Sequence, residues 1–235
     1  MPTPTPASAP RLAWLFDIDG TILITEGASR QAFSEALLER YGLKDDLKDI
    51  RFDGRTEPLI LDDILAKHGL HFSNGEEAAY WNTVFDHMRR LLRPPRGRLL
   101  DGAEALIDRV AAEPAWVMGL LTGNMTEMAR IKLQRFGLES RFAFGSYGEE
   151  AEDRIALAKR AVSGVAREYE IPPARCVVIG DTEHDVACAR AAGARVVSVA
   201  TGTRTRPELE VLEPDLLLDD LRDAVPLLEW AKGLA

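Results

Sequence analysis

Residues 13–21 read AWLFDIDGT: an unbroken apolar run from Ala13 to Phe16 meets two aspartates spaced by one isoleucine, then a glycine and a threonine. A short, nearly continuous hydrophobic run is the mark of a strand covered on both faces. The chain repeats it: LAWLFDI (12–18), WVMGLLTG (116–123), RFAFGS (141–146), CVVIGD (176–181), RVVSVATG (195–202) and DLLLDD (215–220). Between these runs lie GAEALIDRVAAE, MTEMARIKLQRFG, EDRIALAKRAVSGVAREY, HDVACARAAG and RPELEVL, and LRDAVPLLEWAKG follows the last. Each has helical spacing, and several end in glycine. Strand and helix in alternation predict an α/β domain around a mostly parallel sheet.

One interval breaks the alternation. Residues 25–96 hold no convincing strand but three helical stretches, ASRQAFSEALLERYG, EPLILDDILAKHG and EEAAYWNTVFDHMRRLL. The prediction is a discontinuous core, 11–24 and 97–235, with an all-helical subdomain inserted over 25–96. The exit RRLLRPPRGR, with two prolines and five arginines, reads as a hinge or linker whose arginines form a solvated turn. MPTPTPASAP has neither a basic n-region nor an apolar h-region and reads as a disordered leader over 1–10.

Bulk composition narrows the function. With 235 residues, 46% of them hydrophobic, the chain can bury its own core. A net charge of −9 argues against nucleic acid or an anionic membrane as the main partner. No apolar run approaches the roughly 18 residues of a membrane span. Two unpaired cysteines, Cys176 and Cys188, and four histidines without ligand spacing predict neither zinc nor a disulfide framework, and a reducing, cytoplasmic setting.

In open parallel sheets, ligands bind beyond the carboxyl ends of the strands. Polar groups cluster there: DIDGT (17–21), TGN (122–124), EDR (152–154) and GDTEHD (180–185). Asp17 and Asp19, two apart in an extended strand, project to the same side. Two like charges so close call for a cation or for one protonated carboxyl. Both answers are chemically useful, as a divalent metal site and as a nucleophile beside a general acid. Asp-Gly also starts ordinary turns, Asp181 also suits a helix N-cap, and Thr122 or Asn124 also suits a cap for the helix that follows. Together the strand ends ask for one ligand: Mg²⁺ held by carboxylates, and a phosphate held by hydroxyl, amides and a cation.

These residues, in this order, resemble the haloacid dehalogenase superfamily of aspartyl-phosphate phosphotransferases, most closely its phosphoglycolate-phosphatase-like members with a helical cap. DIDGT stands as first motif, LLTGN as second and VIGDTEHD as fourth, covering nearly the whole chain. The resemblance implies a Rossmann-like three-layer sandwich and a Mg²⁺-dependent hydrolase of small phosphate monoesters. It implies Asp17 as nucleophile, Asp19 as acid and base, and Mg²⁺ on Asp17, the Asp19 carbonyl and Asp181, with Asp185 in or beside the metal shell. Thr122 with the Gly123 and Asn124 amides would hold the phosphoryl oxygens. The third motif departs from the family's pattern, for no Lys-Pro precedes the fourth; Arg154 and Lys159 are the candidates. Five residues rotate a helix by about 500°, leaving the two about 140° apart, so both cannot face one site. Arg154, in the first turn, is preferred. FDGRTEP (52–58) resembles the family's substrate-facing cap loop, where Arg55 would meet a carboxylate or second phosphate. A sugar-phosphate mutase, a phosphonate hydrolase using a cap lysine (Lys44, Lys48 or Lys67) and a receiver-like signalling module remain the alternatives. Oligomeric state is not legible.

Overall fold

The computed structural model describes residues 11–234, so the leader predicted over 1–10 lies outside the described residues. In chain order the strands are β1 (Leu12–Phe16), β2 (Leu23–Ile24), β3 (Arg98–Leu99), β4 (Trp116–Leu121), β5 (Phe144–Ser146), β6 (Cys176–Gly180), β7 (Arg195–Val199) and β8 (Leu216–Leu218). The helices are α1 (Ala28–Tyr41), α2 (Glu57–His68), α3 (Glu76–Leu91), α4 (Ala103–Ala111), α5 (Thr126–Arg135), α6 (Arg154–Tyr169), α7 (Glu183–Ala191), α8 (Arg206–Glu210) and α9 (Val225–Lys232).

The six strands predicted from apolar runs form one parallel sheet in the order β5-β4-β1-β6-β7-β8. β5 is shorter than its run because Glu139–Arg141 turns as a 3₁₀ helix first. Every residue of β1 is buried, and its side chains alternate between two cores. Leu12, Trp14 and Phe16 pack with Leu106 and Ile107 of α4, Leu133 of α5 and Leu227 of α9. Ala13 and Leu15 pack on the other face with Leu157 and Val165 of α6 and Val186 of α7. The result is the three-layer α/β sandwich, of Rossmann-like type, that the alternation predicts. Burying each of the large β1 side chains contributes about 1.5–3 kcal/mol, so the strand that carries Asp17 at its end is a rigid mount. The winding reverses about β1, with β4 and β5 to one side and β6 to β8 to the other. The carboxyl ends of β4, β1 and β6 therefore face one crevice.

The helical insertion departs from β1 through a feature the apolar runs did not show. β2 and β3 pair antiparallel, Leu23 opposite Leu99, and bracket the inserted helices like a clasp. α1, α2 and α3 share a cluster of Phe33, Ile60, Ile64, Tyr80, Trp81 and Phe85, and Met128 and Ile131 of α5 enter the same cluster. The insertion thus packs partly on a core helix. Arg89, Arg90, Arg93 and Arg98 of its exit are exposed, as a solvated segment requires, and three of the five exit arginines also find partners. Arg89 pairs with Asp86 and with Glu127 of α5, Arg90 pairs with Glu35, and Arg96 donates to the Glu26 carbonyl and to Gln31. No helix among the described residues is long and apolar enough to cross a membrane.

Candidate active site

A cavity of about 320 Å³ opens over the carboxyl ends of β1 and β4, and its walls include Asp17, Asp19, Arg55, Thr122, Gly123, Asn124 and Arg154. Behind Asp17 lie Asp181 and Asp185, all three buried and with carboxylate oxygens within 4.8 Å of one another. The residues singled out from four separate strand ends therefore converge on one place.

Asp17 follows the last residue of β1, where its amide donates to the Ile179 carbonyl at 3.0 Å and fixes it against β6. Burial pushes its carboxyl up to about 6; the nearby Arg154 pulls the other way, and Asp185 and Asp19 add to the rise. Desolvation therefore outweighs the Arg154 ion pair, whose closest approach is 3.6 Å. Asp181 is held well above the usual carboxylate range, first by burial and then by Asp185 and Asp17. Gly20 and Gly202 pass so close that a Cβ on either would strike the Asp181 carboxylate, and Gly20 also has a left-handed φ of 80°.

Two helix starts settle alternatives left open by sequence. α7 is capped by Thr182 and not by Asp181: Thr182 and Asp185 form a capping box, with the Thr182 amide donating to Asp185 Oδ2 at 3.0 Å and its hydroxyl at 2.7 Å. Asp181 is freed from capping, while Asp185 is fully engaged, because its Oδ1 accepts from Arg154. Asp185 orients Arg154 and α7 more directly than it faces the cavity. Nor do Thr122 and Asn124 cap α5. The Met125 and Thr126 amides at its N-terminus donate to Glu57 at 2.8 Å and Glu149 at 2.9 Å. Asn124 Nδ2 instead donates to Thr122 Oγ1 at 2.7 Å and to Asp19 Oδ2 at 2.8 Å. The Asn124 amide takes a long bond to Thr122 Oγ1, 3.3 Å, so of the two amides expected to cradle phosphate it is already partly used.

Arg154 begins α6, whose N-cap Asp153 accepts from Ala156. Its guanidinium is buried between Asp185 and Asp17. Burial alone would favour the neutral form, yet Asp17 and Asp185 outweigh it and raise the pKa further. Its Nε is buried without a partner among the described residues. Lys159 is exposed on the same helix and does not line the cavity. Arg55 does line it, but its charge is met by Asp63 of α2. The loop that carries it is seated firmly. The Glu57 amide donates to the Gly123 carbonyl at 2.8 Å, a Cβ on Gly123 would run into the Arg55 carbonyl, and Arg51 pairs with Glu183. Of the cap lysines, Lys48 pairs with Asp46 and Lys67 with Asp45 and Asp49, and neither they nor Lys44 reach the cavity.

Three residues of the cavity wall escaped the sequence reading. Lys132 of α5 is 1% exposed, and its Nζ donates to Asp19 Oδ2 at 2.6 Å and to Asn124 Oδ1. Its spacing of four from Met128 placed it on the buried face of α5, which was the available signal. Glu57, at the start of α2, is buried and pushed up to about 7, by desolvation first, with Lys132 opposing. Arg30 of α1 donates to the Ile50 carbonyl at 2.8 Å and to that of Leu47, and lies 4.4 Å over the Phe52 ring. It has no carboxylate partner among the described residues.

Known proteins resemble this chain in sequence and in fold. A family model described as HAD-hydrolase-like matches residues 156–224. Phosphoglycolate phosphatase of Cereibacter sphaeroides is 28% identical over 214 residues, 89% of this chain and 95% of that protein. Protein CbbY of Rhodobacter capsulatus is 28% identical over 197 residues, 79% of this chain and 83% of that protein. The crystal structure of CbbY from Rhodobacter sphaeroides in complex with phosphate superposes with a TM-score of 0.72 at 21% identity, covering 92% of this chain and 96% of that one, and so shares its fold. With DIDGT, LLTGN and VIGDTEHD at three strand ends of one crevice, and relatives named as phosphatases matched over most of their length, this chain resembles the haloacid dehalogenase-like hydrolases in sequence and fold.

Proposed function

We propose that the protein is a Mg²⁺-dependent phosphatase that hydrolyses a small phosphate monoester through an aspartyl-phosphate at Asp17. The observation that carries the reading is the convergence of Asp17, Asp19, Thr122, Asn124 and Arg154 on one cavity backed by Asp181. The donor set fits Mg²⁺. Three buried carboxylates face a single guanidinium, leaving a charge deficit of two, and their oxygens are hard ligands of the kind Mg²⁺ takes. Asp17, Asp181 and the Asp19 carbonyl would hold the ion, with Asp185 beside them. Once bound, it would offset phosphoryl charge near an anionic nucleophile.

The chain's own residues would do the rest. Asp17 attacks phosphorus as the ester P–O bond breaks, and Asp19 gives a proton to the departing oxygen. Asp19 then takes a proton from the water that attacks the aspartyl-phosphate. Thr122, the Gly123 amide and Arg154 hold the equatorial oxygens. The docked loop 51–57 walls the cavity, and a volume of about 320 Å³ suits a small substrate. Arg30, without a carboxylate of its own, is better placed than Arg55 to meet a second anionic group on that substrate. A reducing cytoplasmic compartment suits the two free, buried cysteines.

The test is release of inorganic phosphate from p-nitrophenyl phosphate with and without Mg²⁺, in wild type and in Asp17→Asn. Mg²⁺-dependent turnover that disappears in the variant is expected. A wild type that becomes stably phosphorylated and never turns over would overturn the reading and favour a receiver-like module.

A further inference from the structure

A fully buried lysine is costly. Removing an ammonium from water costs several kcal/mol even after relaxation, unless its charge is met. Lys132 is 1% exposed, yet the carboxylate it meets, Asp19, keeps 42% of its side-chain surface accessible. A lysine serving only to fill the core would do so less well than the Met128 and Leu133 beside it on α5. One serving the dipole at the C-terminal end of α5 would leave its ammonium at the surface. Here the side chain runs back toward the helix N-terminus, as helical side chains do, and ends under the cavity.

Its two contacts form a frame. Nζ donates to Asp19 Oδ2 at 2.6 Å and to Asn124 Oδ1. Asn124 Nδ2 donates to the same Asp19 Oδ2 at 2.8 Å and to Thr122 Oγ1 at 2.7 Å. Asp19 Oδ2 is thus gripped by two donors, one of them charged, while Oδ1 accepts no hydrogen bond among the described residues and belongs to a side chain lining the cavity. The same frame ties the hydroxyl of Thr122 to the position of Asp19.

Resting on the phosphatase reading above, we infer that Lys132 is a positioning residue for Asp19: with Asn124 it fixes the carboxyl by Oδ2 and so presents Oδ1 to the leaving oxygen. In that step the bond from Asp17 to phosphorus forms, the phosphorus–ester oxygen bond breaks, and the proton moves from Asp19 Oδ1 to the ester oxygen. Lys132 touches no reacting atom. Its effect is to hold Asp19 Oδ1 where the ester oxygen departs and to keep Thr122 in register with it.

The consequence depends on the leaving group. An unsubstituted phenoxide leaves poorly unless protonated, whereas p-nitrophenoxide is stable as an anion and needs little help. kcat/KM reports steps through the first phosphoryl transfer only, so it isolates proton donation from the later hydrolysis. Phenyl phosphate and p-nitrophenyl phosphate, similar in shape, are therefore compared in wild type, Lys132→Met and Lys132→Gln, each checked for a cooperative thermal melt. Positioned general acids typically contribute about 10²–10⁴-fold. In Lys132→Met, kcat/KM for phenyl phosphate is expected to fall about 100-fold or more, and for p-nitrophenyl phosphate less than about tenfold. Adding Asp19→Asn to Lys132→Met should then cost the phenyl ester little more, because the two residues act as one unit. Equal losses on both esters, or full additivity in the double variant, would overturn the inference and leave Lys132 a structural residue. If Lys132→Met does not fold, Lys132→Gln, which keeps a donor but no charge, is held to the same split. Wild type that hydrolyses neither ester would sink the phosphatase reading itself, and the inference with it; wild type active on both with no split in the variants sinks the inference alone.

Discussion

Glu57 is a carboxyl held at a joint. It begins α2 of the inserted helices, its side chain accepts from the Met125 amide at 2.8 Å, and its own amide donates to the Gly123 carbonyl at 2.8 Å. Burial raises it from 4.5 to about 7, against the pull of Lys132 and the Met125 hydrogen bond and with smaller pushes from Asp19 and Glu149. A carboxyl whose folded pKa lies above its unfolded one contributes stability that is fully present below the unfolded value. That contribution is lost as pH rises through the folded value. The window is therefore from about pH 4.5 to about pH 7. Each pKa unit is about 1.4 kcal/mol, so between pH 5 and pH 8 this one group withdraws about 2–3 kcal/mol from folding. Glu57→Gln keeps a carbonyl acceptor for the Met125 amide and cannot ionise. Urea unfolding of metal-free protein should show the variant close to wild type at pH 5 and more stable by about 2 kcal/mol at pH 8. Taking the difference between the two proteins removes the parallel rise in Asp17 and Asp181, which titrate in both. A difference that does not change between pH 5 and pH 8 would refute the reasoning, because it would mean that Glu57 is not desolvated at the joint.

Other outcomes follow from the same geometry. Arg154→Ala should abolish turnover of p-nitrophenyl phosphate, and Lys159→Ala should change kcat/KM less than about twofold, since the first is buried between Asp17 and Asp185 and the second is exposed. Arg154→Ala also strands three buried carboxylates, so its metal-free melting temperature should fall unless Mg²⁺ is added. In Asp181→Asn, a buried like charge disappears, so the metal-free protein should melt no lower than wild type at pH 8. Wild type at about 100 times its Mg²⁺ dissociation constant gains about 2.7 kcal/mol, and the Asn variant should gain far less. Thermal melts with and without Mg²⁺ check both statements; equal Mg²⁺ stabilisation of wild type and Asp181→Asn would remove Asp181 from the ligand set.

Much of the scaffold was legible because burial on both faces leaves an unmistakable trace. LAWLF and CVVIG are apolar at every position, and both fall in the middle of the sheet. The places of Asp17, Thr122 and Asp181 were legible for a related reason: a polar residue that directly ends such a run stands at a carboxyl end, where this fold keeps its crevice. Arg154 could be preferred because helical rotation kept Lys159 from sharing its site and Arg154 stands in the first turn, beside the strand ends. β2 and β3 were invisible because two-residue strands carry no periodicity. Arg55 looked free because its partner Asp63 sits eight residues away on the next helix, and sequence does not say which way a loop arginine turns. Lys132 and Glu57 were missed for the opposite reason. Each is a charged residue in an amphipathic helix, where charge ordinarily marks the solvent face. Here a second body, the inserted helices, covers the surface that α5 would otherwise expose, so that Met128 and Ile131 join the cluster of α1 to α3 and Lys132 is enclosed beneath it. Burial of a charge at a seam between two packed bodies is a property of both, and no window of eleven or eighteen residues along one of them contains it. That is why the seam is also where chemistry beyond the family motifs should be sought: a charge enclosed there has been taken out of water at a cost, and at Lys132 the group that meets it is the carboxyl assigned to proton transfer.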